Sequence, residues 1–186
     1  MKSFSIIFLL ILLGVSISVA GQKRDDTDAV ILLGNNFSFS LKAPAGWVLD
    51  SEVAKQQGLQ AVIYPAGSTW KDSVVVMYAR VVYKDEAQPT IEKVISDDIS
   101  DFMKLSKEST VADAPSIETR DKRKGISKVF YDAANKNYES VTFIDGPKVV
   151  VILALSSRDK KEYEKAQPAF KALASSYFFF APLAAP

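Results

Sequence analysis

The seven residues from Val149 to Leu155, VVVILAL, carry no polar side chain. A strand shows its side chains alternately to its two faces. A strand with one wet face therefore alternates in polarity, and a run that does not alternate has to be covered on both sides. The chain must build a sheet with this strand in its interior and lay cover over both faces.

Two segments have the period to supply that cover. In PTIEKVISDDISDFMKL, the residues Ile91, Val94, Ile95, Ile99, Phe102 and Met103 recur at three- and four-residue spacing. That pattern predicts an amphipathic helix over Ile91–Leu105, with Pro89 suited to its first turn. A second helix is predicted from about Asp159, where Asp159 and Glu162 resemble a capping box. Its inward stripe is Tyr163, Ala166, Phe170, Leu173 and Tyr177, and Pro168 predicts either a kink or a later start.

Most of the remainder reads as strand. FSFSLKA alternates strictly, with Phe37, Phe39 and Leu41 on one face. LQAVIYP and SVVVMYARVVY follow, the second rich in valine and tyrosine. After a polar connection come SIETRDKR, SKVFYDA, YESVTFI and KVVVILAL, with turn residues at Asn135–Asn137 and Asp145–Pro147 that favour an antiparallel meander. The expected architecture is one α+β domain over residues 29–180, a single antiparallel sheet flanked by helices as an α/β/α sandwich. Residues 21–28 are charged and non-periodic, as a flexible leader would be, and residues 181–186 read as a disordered tail.

The N-terminus bears on location. Lys2 precedes an apolar run from Phe4, and Ser18 and Ala20 suit cleavage after Ala20, which makes residues 1–20 a signal peptide. The competing reading is a retained anchor, although a spanning helix needs about 20 mostly apolar residues and this run is shorter. The protein is expected to be secreted or periplasmic, with no stable membrane anchor after cleavage. The chain has no cysteine, so neither a lipid-bearing cysteine nor a disulfide is available and the core must suffice alone. With 23 basic and 22 acidic side chains, nothing marks a nucleic-acid partner. The basic run RDKRK at Arg120–Lys124 reads as a solvated strand end.

Between two of the strands lies APAGW. Pro44 withdraws a backbone donor, Gly46 permits a sharp turn, and Trp47 follows at once. The stretch is read as a structural corner whose indole covers the open end of the sheet, against the alternative of a ligand-stacking ring. A buried ring there would make Trp47→Ala cost roughly 3–5 kcal/mol.

A strand running into APAGW, then a strand-rich stretch with YPAG and a tryptophan, resembles the start of PsbP-like domains. The antiparallel strands and the closing YEKAQPAFKALASSYFF resemble their end. The resemblance implies a PsbP-like fold and members that mostly bind partners or stabilise assemblies. It supplies no common catalytic set. The metal sites ascribed to PsbP involve histidine, and this chain has no histidine.

The lack of both histidine and cysteine removes Ser-His-Asp triads, thiolate zinc sites, Cys nucleophiles and the usual proton shuttle near neutral pH. Ser-x-x-Lys occurs twice, at Ser68–Lys71 and Ser157–Lys160, without the companion motifs of penicillin-recognising enzymes. Asp97, Asp98 and Asp101 crowd one helix face. A hard cation would want about six to eight oxygens there, and a solvated face explains the cluster more simply. Asn36-Phe37-Ser38 is a glycosylation sequon. The loop YPAGSTWKD mixes Tyr64, Trp70, Lys71 and Asp72, which, if exposed, would form a recognition patch for a protein or envelope component. YFFF at Tyr177–Phe180 is expected to dock against the sheet.

No cofactor or metal and no enzymatic activity are expected. The leading expectation is an exported binding module. Its rivals are a carrier of a small apolar ligand and a hydrolase or lyase using carboxylates. A cleft of roughly 300–1,000 Å³ with few polar groups favours the carrier. A buried carboxyl group raised in pKa favours the enzyme, and an exposed Trp70 favours the module.

Overall fold

A computed structural model of the chain describes residues 29–35, 37–104 and 107–180. The expected signal peptide, leader, tail and sequon asparagine Asn36 lie outside the described residues.

The VVVILAL run forms the middle of β9 (Val149–Ser157), buried over nearly its whole length. It is the fourth of seven antiparallel strands in the order β3-β4-β5-β9-β8-β7-β6. These are β3 (Trp47–Asp50), β4 (Ala61–Pro65), β5 (Val75–Tyr83), β6 (Thr110–Glu118), β7 (Lys124–Asp132) and β8 (Asn137–Asp145). Val149, Val151, Leu153 and Leu155 enter one hydrophobic cluster, whereas Val150, Ile152 and Ala154 enter another. One strand thus feeds two cores.

The second core is roofed by helix α2 (Ile91–Met103), whose Ile91, Val94 and Ile95 are buried. Thr90 caps it, accepting a hydrogen bond from the Lys93 backbone N–H. The opposite face carries α3 (Lys160–Ser175), where the Asp159 side chain accepts from Glu162 N–H at 3.0 Å. Of the two outcomes expected of Pro168, the later start is not realised: the helix is formed from Lys160 and Pro168 lies inside it. A short helix, α1 (Ser51–Gln56), is capped by Asp50. Six residues are too few to show a period, and this helix was not expected.

The single sheet was wrong. A separate three-stranded sheet, in the order β1-β2-β10, is built from β1 (Ala29–Gly34), β2 (Phe37–Lys42) and β10 (Phe178–Phe180). It packs beside α3, so this side of the large sheet is covered by a helix and a sheet together rather than by the helix alone. Phe37, Phe39 and Leu41 join Leu153, Leu155 and Phe170 in the main cluster. Alternation in FSFSLKA correctly marks a buried face, but it is silent on which surface buries it.

YFFF docks as expected, and two other segments differ from the expectation. YFFF supplies an inward Tyr177 and then a strand, with Phe179 opposite Phe39. The strand expected in SIETRDKR starts earlier, at Thr110, and stops at Glu118. It is an edge strand with little burial and hence no clear alternation. The basic run beyond it is not simply solvated. Asp121 accepts from Phe179 N–H at 3.1 Å, Arg120 N–H donates to the Tyr177 carbonyl at 3.1 Å, and the Arg120 and Arg123 guanidinium groups lie over the Phe178 and Phe179 rings. These contacts pin the small sheet to the β6–β7 connection.

APAGW separates the two sheets. Trp47 N–H donates to the Pro44 carbonyl at 3.0 Å, and Gly46 takes a φ of +79°, a turn that a side chain at that position would strain. β2 ends before it in the small sheet, and β3 begins at Trp47 in the large one. The indole is half-buried, packed on the main cluster beside Pro65, Val75 and Ala166. Partial burial lowers the expected cost of removing it. Trp47→Ala is predicted to destabilise the protein by about 2 kcal/mol, below the range for a fully buried ring, as read by chemical denaturation. An unchanged midpoint would contradict the corner.

Candidate binding sites on the two faces of the sheet

The larger concavity, about 570 Å³, lies between α3 and the β6–β8 end of the sheet. Its walls are Ala114, Pro115 and Ile117 from β6, Val129 from β7, and Pro168 and Phe170 from α3. The opening has a local cause. Ala114 pairs with Ser127 and Ile117 with Gly125, so Pro115 and Ser116 together face one residue of β7. That bulge bends the edge strand, and proline is tolerated there because the ladder is already broken. Gly125 is required nearby, since a Cβ would come within 2.6 Å of the Thr142 methyl.

The polar groups at its base are already matched. Ser140 Oγ and Tyr163 Oη share a hydrogen bond of 2.7 Å, and Gln167 Nε2 donates to Ser140 Oγ at 2.9 Å. Ser127 and Thr142 hydroxyls share another at 2.9 Å. An apolar guest would therefore displace no protein hydrogen bond. Lys171 stands exposed at the rim.

A second cavity of about 250 Å³ opens on the α2 face, lined by Tyr78 and Arg80 of β5, Asp98, Asp101 and Phe102 of α2, and Glu139 of β8, over Phe130, Val141 and Ile152. Pairing places Glu139 directly opposite Ser156 on β9. Its Oε1 accepts from Ser156 Oγ at 3.0 Å and from Asn137 Nδ2 at 2.9 Å. Burial nonetheless pushes the Glu139 carboxyl up, aided by Asp98 and opposed by those two donors and by Arg80. Burial also pushes the Tyr78 phenol up, with Glu139 adding to the effect. Arg80 is ion-paired with Asp98.

Of the residues singled out in the sequence, Asp98 and Asp101 line the second cavity, and the loop residues Tyr64, Trp70, Lys71 and Asp72 line neither. Tyr64 Oη donates to Asp50 at 3.0 Å, tying β4 to the cap of α1. Lys71 and Asp72 are exposed and Trp70 is half-buried. Asp72 accepts from the Thr69 hydroxyl at 2.7 Å, and Ser73 bonds both Ser68 and the Thr69 carbonyl, which folds the loop on itself. The helix carboxylates are engaged one by one: Asp97 by Lys93 and Gln88, Asp98 by Arg80, Asp101 by Lys104. Among the described residues no group of three or more His, Cys, Asp or Glu side chains is arranged to hold a metal, and no helix is long and apolar enough to cross a membrane.

Glu139 went unnoticed in the sequence although a signal existed. It shares a strand face with Val141 and Phe143, so a charged residue stands where alternation demands an apolar one. Ser140 and Ser127 are the matching anomalies on the other face.

No protein-family model and no curated protein sequence matches the chain. Comparison with solved structures does find matches. LpqN, involved in cell envelope biogenesis of Mycobacterium tuberculosis, matches at 13% identity and a TM-score of 0.53, over 89% of this chain and 99% of its own length. Cyanobacterial PsbP from Synechocystis matches at 10% identity and a TM-score of 0.49, over 90% of this chain and 99% of that one. Mog1 matches at 12% identity and a TM-score of 0.45, over 79% and 85%. The chain has the PsbP-like fold, which LpqN shares.

Glu139 makes a prediction about pH. Its raised carboxyl means that the folded state holds a proton the unfolded chain releases near pH 4.5. Its contribution to stability is then fully present below that pH and declines as pH rises through the folded-state value. Glu139→Gln, which keeps an acceptor for Asn137 and Ser156, should flatten this decline and melt higher than the parent at pH 7. A parent whose stability rises from pH 4.5 to 7 relative to the variant would contradict the assignment.

Proposed function

We propose that the chain is an exported, non-catalytic binding module that holds the apolar part of an envelope component in the cleft between α3 and the β6–β8 end of the sheet. The observation that carries this reading is the cleft of about 570 Å³, within the range of small-ligand sites, whose basal polar groups are satisfied within the protein. Such a site can exchange water for hydrocarbon without stranding a donor or acceptor. The exposed ammonium of Lys171 at the rim suits an acidic head group on an acyl chain.

Export is supported by the N-terminal pattern ending at Ala20, and an envelope role is consistent with the role of LpqN. Absence of catalysis is supported by composition: with no histidine or cysteine, acid–base work would fall to groups such as Glu139 and Tyr78. Burial pushes both upward, and for Glu139 this is the feature that favours the carboxylate-using rival. The Tyr78 phenol is thereby carried away from the neutral range in which an efficient general base operates. The loop holding Trp70, Lys71 and Asp72 remains a second surface through which a protein partner could be met, and its two exposed charges favour that use.

Titration of the purified mature chain with cis-parinaric acid tests the proposal. Saturable fluorescence enhancement is expected at one site per chain, and Ala114→Trp, which places an indole in the mouth of the cleft, should weaken it by about tenfold or more without lowering the melting temperature. Absence of saturable binding, or equal binding by a stably folded Ala114→Trp variant, would overturn it.

A further inference from the structure

The cavity on the α2 face lies across the sheet from the apolar cleft, and its chemistry is different. The geometry points to a second binding site here, for a small organic ammonium: a primary amine carrying a short hydrocarbon or single-ring body.

The charges lining the cavity are unbalanced. Three carboxyl groups, Asp98, Asp101 and Glu139, face one guanidinium, Arg80, and Asp101 is itself paired with Lys104. That guanidinium is already neutralised by its ion pair with Asp98. An anionic guest would meet Glu139 with no unpaired cation to hold it, whereas a cationic guest would meet a carboxyl group that no cation in the lining pairs.

Hydrogen-bonding capacity points the same way. Both donors to Glu139, Asn137 Nδ2 and Ser156 Oγ, bond Oε1, which leaves Oε2 able to accept. Tyr78 also lines the cavity. An ammonium has three N–H donors and needs acceptors. Glu139 Oε2, the Tyr78 oxygen and an Asp101 oxygen at the mouth are of the right kind.

The remaining surface suits an apolar body. Phe102 and Phe130 meet edge to face with centroids 4.9 Å apart, and Val141 and Ile152 complete the floor. Aromatic faces add attraction for an organic cation that a neutral guest would not receive. The modest volume of about 250 Å³ limits the guest to a compact amine.

The test uses three probes that share a phenylethyl body, 2-phenylethylamine, 2-phenylethanol and 3-phenylpropionate, each titrated against the isotope-labelled mature chain while amide shifts are followed by NMR. The amine is expected to bind most tightly, shifting amides of β5, β8 and α2 and leaving those of β6 and the rim of α3 unmoved. Glu139→Gln should weaken amine binding by about tenfold or more. Asp101→Asn, at an exposed position that cannot endanger folding, should weaken it by about two- to fivefold. Binding of the carboxylate at least as tight as the amine, equal amine affinity in both variants, or shifts confined to the apolar cleft would each overturn the proposal. Because the two cavities lie on opposite faces, failure here leaves the result with cis-parinaric acid untouched.

Discussion

Everything in this fold depends on one strand being dry on both sides. β9 has no polar side chain from Val149 to Leu155 and sits between β5 and β8 at the middle of the large sheet. Burying a valine, isoleucine or leucine side chain contributes about 1.5–3 kcal/mol, and this gain is available only if both faces are roofed. Helix α2 roofs one face, and α3 with the small sheet roofs the other. With no disulfide possible, this apolar burial is the principal source of stability.

The two roofs are unequal, and the inequality produces the cavities. On the α3 side, the bulge at Pro115 bends the edge strand and leaves a gap between β6 and α3. On the other side, α2 ends at Met103, and the sheet beyond Phe102 is polar: Glu139, Asn137 and Ser156 there bond one another. A helix that stops short leaves a polar-walled recess, and a strand that bends away leaves an apolar one. The two recesses therefore differ in chemistry for reasons rooted in the elements around them.

The parts legible in the sequence are those where periodicity and burial coincide. Both long helices, the central position of β9 and the corner at Pro44–Trp47 could be read because their residues face a packed surface. Strand β6 was misplaced because an exposed edge has no alternation to display, and α1 was missed because six residues carry no period. The small sheet was missed for a different reason. Phe37, Phe39 and Leu41 announce a buried face, but only three-dimensional packing says that it closes over α3's side of the main sheet instead of lengthening it. The residues of the proposed sites are the least legible. Trp70, Lys71 and Asp72 stand out because aromatic and charged residues in a loop look available, whereas Glu139 and Ser140 lie within a strand and declare themselves only as breaks in an inward-facing pattern.

Native-state hydrogen exchange of the mature chain tests the central claim most directly. If β9 is the shared spine of both cores, the amides from Val150 to Leu155 should exchange only through global unfolding and be the slowest in the protein, with those of β1 and β6 opening earlier. Exchange of the β9 amides ahead of those in the small sheet would show that the molecule is held together elsewhere, and the account would fail.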